Sequence, residues 1–581
     1  MTVRIQDLSM LVLIGAVAAC TGVVDGVTPA GGGGLGSVSN PNPGNGTGGG
    51  SVVGSGGAGS VAASGGAGAI ASTPGKLNLT GTPQYFRFVR VTNTQWTNSV
   101  QSILALSAPT TLGENFREAV SGNSDFNNNE LFLDIDNSSW ADFQTASEAL
   151  ADQVTATDAA LAKVYSGKDA AGLISTLGRR AYRRPLTTAE QATYLTLFNS
   201  GSALTGSRSA LGKGASLVIR ALLQSPNFLF RTELGAVGQP LTAFEMAAKL
   251  SLWLRDTTPS DALLDSAAGP GALGTADGAV ALAKTMLDED GAKAVMRRFH
   301  GQLLHLDQFS TITKSGVASF NAAIAPELTE SSYLFFDKIF SKGLGVKDIL
   351  LSTTGFVGPN MAAVYGGSVT APSSGYSEQT LGPNRVGYFT QLPYLMYYGR
   401  NGTPDSIHRG VNMNFDVLCA TLGPASIVLP TLPARQPGET NRQVVDKTTS
   451  GCGSLCHNAL INPIGFAFEH YDGMGQYNAT EKDVTGVDLP IDSSGTYAFT
   501  DGSHSYTDAA ALMQVMATGQ QAHACYGKKL ASFGLQRDVV DADMPLVTDL
   551  ATTSMSSGSV KQVMLELVKR DEFRTRSGGA Q

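Results

Sequence analysis

Apolar side chains begin to recur with a structural period only after about residue 85. From Phe86 to Val91 apolar and polar positions alternate. From Trp96 the spacing turns helical, with Trp96, Val100 and Ile103 on one face. Thr92 or Asn93 is placed to cap that helix. Helical spacing dominates again from about 140 to 230, where Arg179-Arg-Ala-Tyr-Arg-Arg184 closes one helix with cations that suit its dipole. Thr187-Thr-Ala-Glu190 and Thr242-Ala-Phe-Glu245 are capping boxes for the helices that follow. Thr258-Pro-Ser-Asp261 repeats that grammar, with Pro259 in the first helical position. Helices continue through 277–345.

Glycine, serine and proline rise between 353 and 385, and this stretch reads as a domain boundary or a long surface loop. An apolar run, Tyr388 to Tyr398, restores order. Asp405 opens a helix expected to run through Phe415, Leu418 and Cys419. Pro430 to Pro437 reads as an extended linker, residues 487–503 as short strands and turns, and the chain from Asp508 as helical. Asn- and Asp-rich loops near 125–137 lack the glycine and terminal glutamate of a calcium loop and read as turns.

The first 80 residues follow other rules. Met10 to Ala19 is a brief apolar core, too short to span a bilayer, and it ends at Val17-Ala-Ala-Cys20. This resembles a bacterial lipoprotein signal, residues 1–20, with Cys20 lipidated. Residues 21–78 are rich in Gly, Ser, Ala, Asn and Pro and nearly uncharged, a composition that makes a flexible tether. The expected address is the outer membrane, cell surface or periplasm, with the membrane reached through the lipid. A net charge of −8 and the lack of a basic run argue against a nucleic-acid partner.

The chemistry gathers at Cys452-Gly-Ser-Leu-Cys456-His457, followed by an apolar run with Pro463. Two thiols and an imidazole so placed suit covalent haem c: the thiols take the vinyl groups and His457 is the proximal iron ligand. Three residues separate the cysteines, where the usual motif has two. A Cys452–Cys456 disulfide is the alternative, and a metal site of both thiolates with His457 and a further ligand is a third reading. Met474 is the distal candidate, with His470, Met513, Met516, His408 and His504 behind it. Arg409 has two readings, a haem propionate partner or a surface salt bridge. His300 and His305, five apart, read as packing or surface residues rather than ligands. With Cys20, Cys452 and Cys456 accounted for, Cys419 and Cys525, 106 positions apart, are expected to form a disulfide outside the cytoplasm. No Gly-x-Ser-x-Gly elbow in the folded part and no His-Glu-x-x-His marks a hydrolase.

Tyr182-Arg-Arg-Pro-Leu186, Ser225-Pro-Asn-Phe-Leu-Phe-Arg231, Ile407-His-Arg-Gly410 and Cys456-His457 with Asn462-Pro-Ile-Gly-Phe-Ala-Phe-Glu469 and Tyr471-Asp472 are familiar together. They resemble a multi-module family of secreted planctomycete- and myxobacterial-type proteins built from successive domains of unknown function. Phe533-Gly-Leu-Gln-Arg537 and Phe573-Arg-Thr-Arg576 resemble its last module. The resemblance implies an extracytoplasmic, redox-active protein, a possible haem-dependent oxidoreductase with a redox partner protein.

The expected fold is mainly α: helical modules at 85–160 and 161–232, a central bundle at 233–365, a cytochrome-c-like module at 384–480 and a C-terminal helical module at 481–577 with a few short strands nearby. The competing function is a haem-free surface binding or assembly protein with structural disulfides.

Overall fold

Local capping decides most helix starts. Thr92 accepts from the Gln95 amide while the Gln95 side chain accepts from Thr92, and Asn93–Ile103 follows with Trp96, Val100 and Ile103 buried. Each such side chain contributes roughly 1.5–3 kcal/mol by burial. Thr187 and Thr242 close the same box with Glu190 and Glu245, opening Thr188–Ser200 and Ala243–Arg255. The third expected box does not form. Ser260 caps Asp261–Ala268 by accepting from the Leu263 amide. Thr258 instead donates its hydroxyl to the Arg180 carbonyl, so a tertiary bond takes the group that local pattern assigned to a cap.

The computed structural model describes Leu77, Leu79, Tyr85 and residues 87–117, 125–133, 135–269, 272–422, 433–450 and 454–576. The expected signal, Cys20, nearly all of the expected tether, and Cys452 lie outside the described residues. Asn137–Val154, Ala170–Tyr182, Thr188–Ser200 and Ala210–Gln224 pack into a first bundle. Ala243–Arg255 packs on Ala276–Met286 and Asp290–Leu303, and the latter on Ile324–Ser341. Gln520–Leu535, Met544–Ser557 and Val560–Lys569 fold back onto this central bundle. One apolar core joins Leu79 and Phe126 to the chain from Leu241 to Phe573, and so is shared between stretches that read separately in the sequence. Order also starts earlier than Phe86, since Leu77 bridges to Ala420 and Leu79 is buried.

Strand β1 (Phe88–Arg90) pairs antiparallel with β2 (Phe230–Thr232), Phe88 opposite Thr232. Beside them Glu233, 1% exposed, meets Arg231 and, at 3.1 Å, the Lys249 ammonium, while Tyr85 donates to it at 2.6 Å. Arg576 reaches Glu245 and the Pro240 carbonyl. Burial holds the Lys249 ammonium well below the usual lysine range. Charges withdrawn from water in this way need partners, so the start and end of the folded chain are tied to the central bundle.

The stretch expected as a boundary or loop carries β3 (Thr354–Val357) and β4 (Ser377–Thr380), an antiparallel ribbon with Val357 opposite Ser377. β5 (Thr480–Lys482) pairs with β6 (Asp488–Pro490), and β7 (Gly495–Phe499) with β8 (Gly502–Tyr506), in the region read as short strands. His300 is a core residue. Its Nδ1 donates to the Met296 carbonyl, and its Nε2 accepts from Tyr526 at 2.9 Å. Among the described residues no helix is long and apolar enough to cross a membrane. The architecture is mainly helical, as the apolar periodicity predicts, and among the described residues the sheets are two-stranded.

Candidate functional site

The site is built from three short helical pieces. Asn441–Thr449 opens with a capping box between Thr440 and Gln443. Ser454–Ile461 is a π-helical segment that carries Cys456 and His457, both half-buried, and it runs into Asn462–Phe466. Pro463 has no amide for the Ala459 carbonyl, so a regular α-helix would leave that carbonyl unpaired. π turns are rare and recur at functional sites. The third piece, Ser406–Asn412, also continues into a π turn, Met413–Val417. The helix expected through Phe415, Leu418 and Cys419 therefore runs as far as Val417, with Phe415 exposed, and ends before Leu418.

Ser406–Asn412 and Asn462–Phe466 cross with their backbones touching. A β-carbon on Gly410 would overlap the Ile461 carbonyl, and one on Gly465 would overlap the Ser406 carbonyl. Glycine is the residue that permits this approach. Arg409 corrects both sequence readings. It is 0% exposed, and its fork donates to the carbonyls of Phe468 (3.1 Å), Tyr471 (2.7 Å), Leu395 (3.0 Å) and Asp472 (2.9 Å). It is neither a surface ion pair nor free to meet a propionate. Glu469, also buried, accepts from the Ser406 hydroxyl and from Asn441 at 3.0 Å. Burial pushes its carboxyl up to about 7.

His457 is oriented by a chain of hydrogen bonds. Asn462, 2% exposed, donates its amide nitrogen to Thr449 Oγ1 at 2.8 Å and to Asp446 Oδ1 at 3.3 Å. Thr449 itself donates to the Val445 carbonyl at 2.8 Å. A carboxylate only accepts, and the threonine proton is already spent, so the Asn462 amide is held with Nδ2 toward them. Its Oδ1 then faces His457 Nδ1 at 3.3 Å, and that nitrogen must be the donor. With the proton on Nδ1, a neutral ring carries its lone pair on Nε2, the form that binds a metal.

The apolar run after His457 is committed to the protein. Leu460, Ile464, Ala467 and Phe468 belong to the continuous core, Phe468 lies near Tyr394, and Arg442 covers the Phe466 ring at 4.6 Å. Met474 is buried in the same core, in a turn held by Asp472. Among the described residues no hydrogen bond or ring contact joins that turn to His457. Met513 and Met516 are core residues. His470 stacks on Tyr477 and bonds the Asn478 carbonyl, His408 bonds Asp405 at 2.7 Å, and His504 meets Asp501 at 3.3 Å. Among the described residues no three His, Cys, Asp or Glu side chains form a metal-holding group. Cys419 and Cys525 are joined, with Cα atoms 5.3 Å apart, as the cysteine count predicts.

Asn462, Thr449 and Asn414 escaped sequence reasoning. Asn414 donates to the Gly410 and Leu460 carbonyls and accepts from Tyr497 at 2.7 Å. The only local sign was Asn462 preceding Pro463, five residues after His457.

Residues 169–233 match the model for a protein of unknown function (DUF1595), 241–366 that for DUF1592, 385–481 that for DUF1588 and 502–573 that for DUF1585. The third of these holds Arg409, Cys456, His457, Asn462 and Glu469. No curated protein and no solved structure matches the chain.

Proposed function

We propose, for a chain that belongs to the planctomycete-type family of successive domains of unknown function, that it works outside the cytoplasm as a lipid-anchored protein with one covalent haem c. Cys452 and Cys456 supply the thioether sulfurs, His457 Nε2 the proximal ligand, and Cys20 the lipid attachment. The observation that carries the reading is the half-buried His457, held in the tautomer with Nε2 free of its proton, one residue after Cys456. When bound, haem supplies one-electron redox chemistry, for electron transfer or a haem-dependent oxidation at the cell envelope with a redox partner protein. The chain's own contribution is to orient the imidazole and to hold the Cys456 helix rigidly against Ser406–Asn412.

A second reading has its own support. The side chains that would wall the ring from water, Phe466 and Phe468 among them, are packed into the module's core. A haem-free surface assembly protein with Cys452 and Cys456 as structural cysteines accords with that packing. Expression with a haem-attachment system separates the two. An intact mass one haem heavier and a pyridine haemochrome band support the first. Protein lacking a Soret band, and two hydrogens lighter for the cysteine pair, overturns it.

A further inference from the structure

We propose that Asn462, anchored by Thr449 and Asp446, is a positioning residue that holds His457 in its Nδ1–H tautomer and so readies Nε2 for iron. The inference rests on His457 being the iron ligand. An isolated imidazole in water favours neither geometry nor ring orientation strongly enough to define a ligand. Here three fixed groups remove the choice. Thr449 Oγ1 at 2.8 Å and Asp446 Oδ1 at 3.3 Å prevent the Asn462 amide from flipping. The amide is 2% exposed, so water does not compete for Oδ1. The acceptor that remains for His457 Nδ1 is a neutral amide at 3.3 Å rather than a carboxylate. A neutral acceptor keeps the ring an imidazole, whereas a carboxylate would draw it toward imidazolate and make it a stronger donor to iron.

The arrangement also explains why a buried asparagine stands directly before Pro463. Its side chain reaches back one turn to the residue that follows Cys456 and across to the last turn of Asn441–Thr449. The orientation of the ligand is thereby coupled to the helix that precedes the cysteines. Thr449 and Asp446 hydrogen-bond Asn462, so through it they act on His457 at one remove.

The test uses the full-length chain, haem-free and haem-loaded, with 15N-histidine labelling. In the haem-free chain the His457 nitrogen shifts report the Nδ1–H form. Asn462→Leu, which removes the acceptor, moves that signal toward the Nε2–H form. Thr449→Val, which keeps the shape and frees the amide to flip, gives a mixture, and it serves if Asn462→Leu fails to fold. In the haem-loaded chain, added imidazole displaces His457 at roughly 10–100-fold lower concentration in either variant. Asn462→Asp raises the iron–histidine Raman stretch and lowers the midpoint potential. If both variants keep the Nδ1–H signal in the haem-free chain and the same imidazole competition in the haem-loaded chain, the role of Asn462 alone is overturned. A chain that takes up no haem overturns the cofactor reading and, with it, any role toward iron.

Discussion

The Arg409 guanidinium donates to the Tyr471 carbonyl at 2.7 Å, and neither residue is more than 3% exposed. The same fork takes three more carbonyls, so one side chain joins Ser406–Asn412 to the turn after the Cys-His helix and to Leu395. Arg409→Met leaves these carbonyls buried without a donor, and the expected loss is at least about 3 kcal/mol. Arg409→Lys regains only part of it, because a single ammonium cannot reproduce a planar fork that reaches four oxygens. Denaturant unfolding of the three proteins checks this. Equal midpoints for the lysine variant and the native chain would refute it.

Glu469 makes stability depend on pH in the direction opposite to most carboxylates. Burial pushes its carboxyl up to about 7 from an ordinary 4.5, beside Ser406, Asn441, Glu481 and Arg409. The folded chain keeps this proton at pH values where the unfolded chain has released it. Its contribution is therefore intact below about 4.5 and is lost as pH rises to about 7. Relative to Glu469→Gln, the native chain loses ~3 kcal/mol over that window. Unfolding curves of both proteins at pH 4.5, 6 and 8 read the difference, and a flat difference contradicts the assignment.

The Cys419–Cys525 bond closes a loop with a sequence separation of 106 that contains Asn441–Thr449, Ser454–Ile461 and Asn462–Phe466. By chain entropy such a loop contributes about 4–5 kcal/mol. Cys419→Ser with Cys525→Ser should melt well below the native chain, and reductant should lower only the native melting temperature toward the variant's. Melting temperatures that coincide without reductant would show that the bond contributes nothing.

Much of this was legible in the chain. Thr92, Thr187 and Thr242 announce their helices because a capping box is closed within four residues, and no distant group needs to agree. The Cys419–Cys525 pairing follows from counting thiols on the expectation of a location outside the cytoplasm. Thr258 misled because its hydroxyl found Arg180, 78 positions away. The β3–β4 ribbon was hidden because its two strands are too short to show a period and meet only in space. Arg409 looked like a surface cation because it follows His408, and nothing local reports four carbonyls arriving from other segments.

What the sequence by itself determined is the helical class, the helix starts capped by Thr92, Thr187 and Thr242, and the position of the Cys-His motif, since all of these depend on neighbours within a turn or two. Only the tertiary structure decided which polar groups would be buried and what would satisfy them. Arg409, Glu469 and Asn462 are all withdrawn from water, and each must find partners. Those partners come from segments up to 63 positions distant, as with Ser406 for Glu469 and Asp472 for Arg409. Burial is a property of the packed chain, so the groups that orient His457 became visible only once the helices had met.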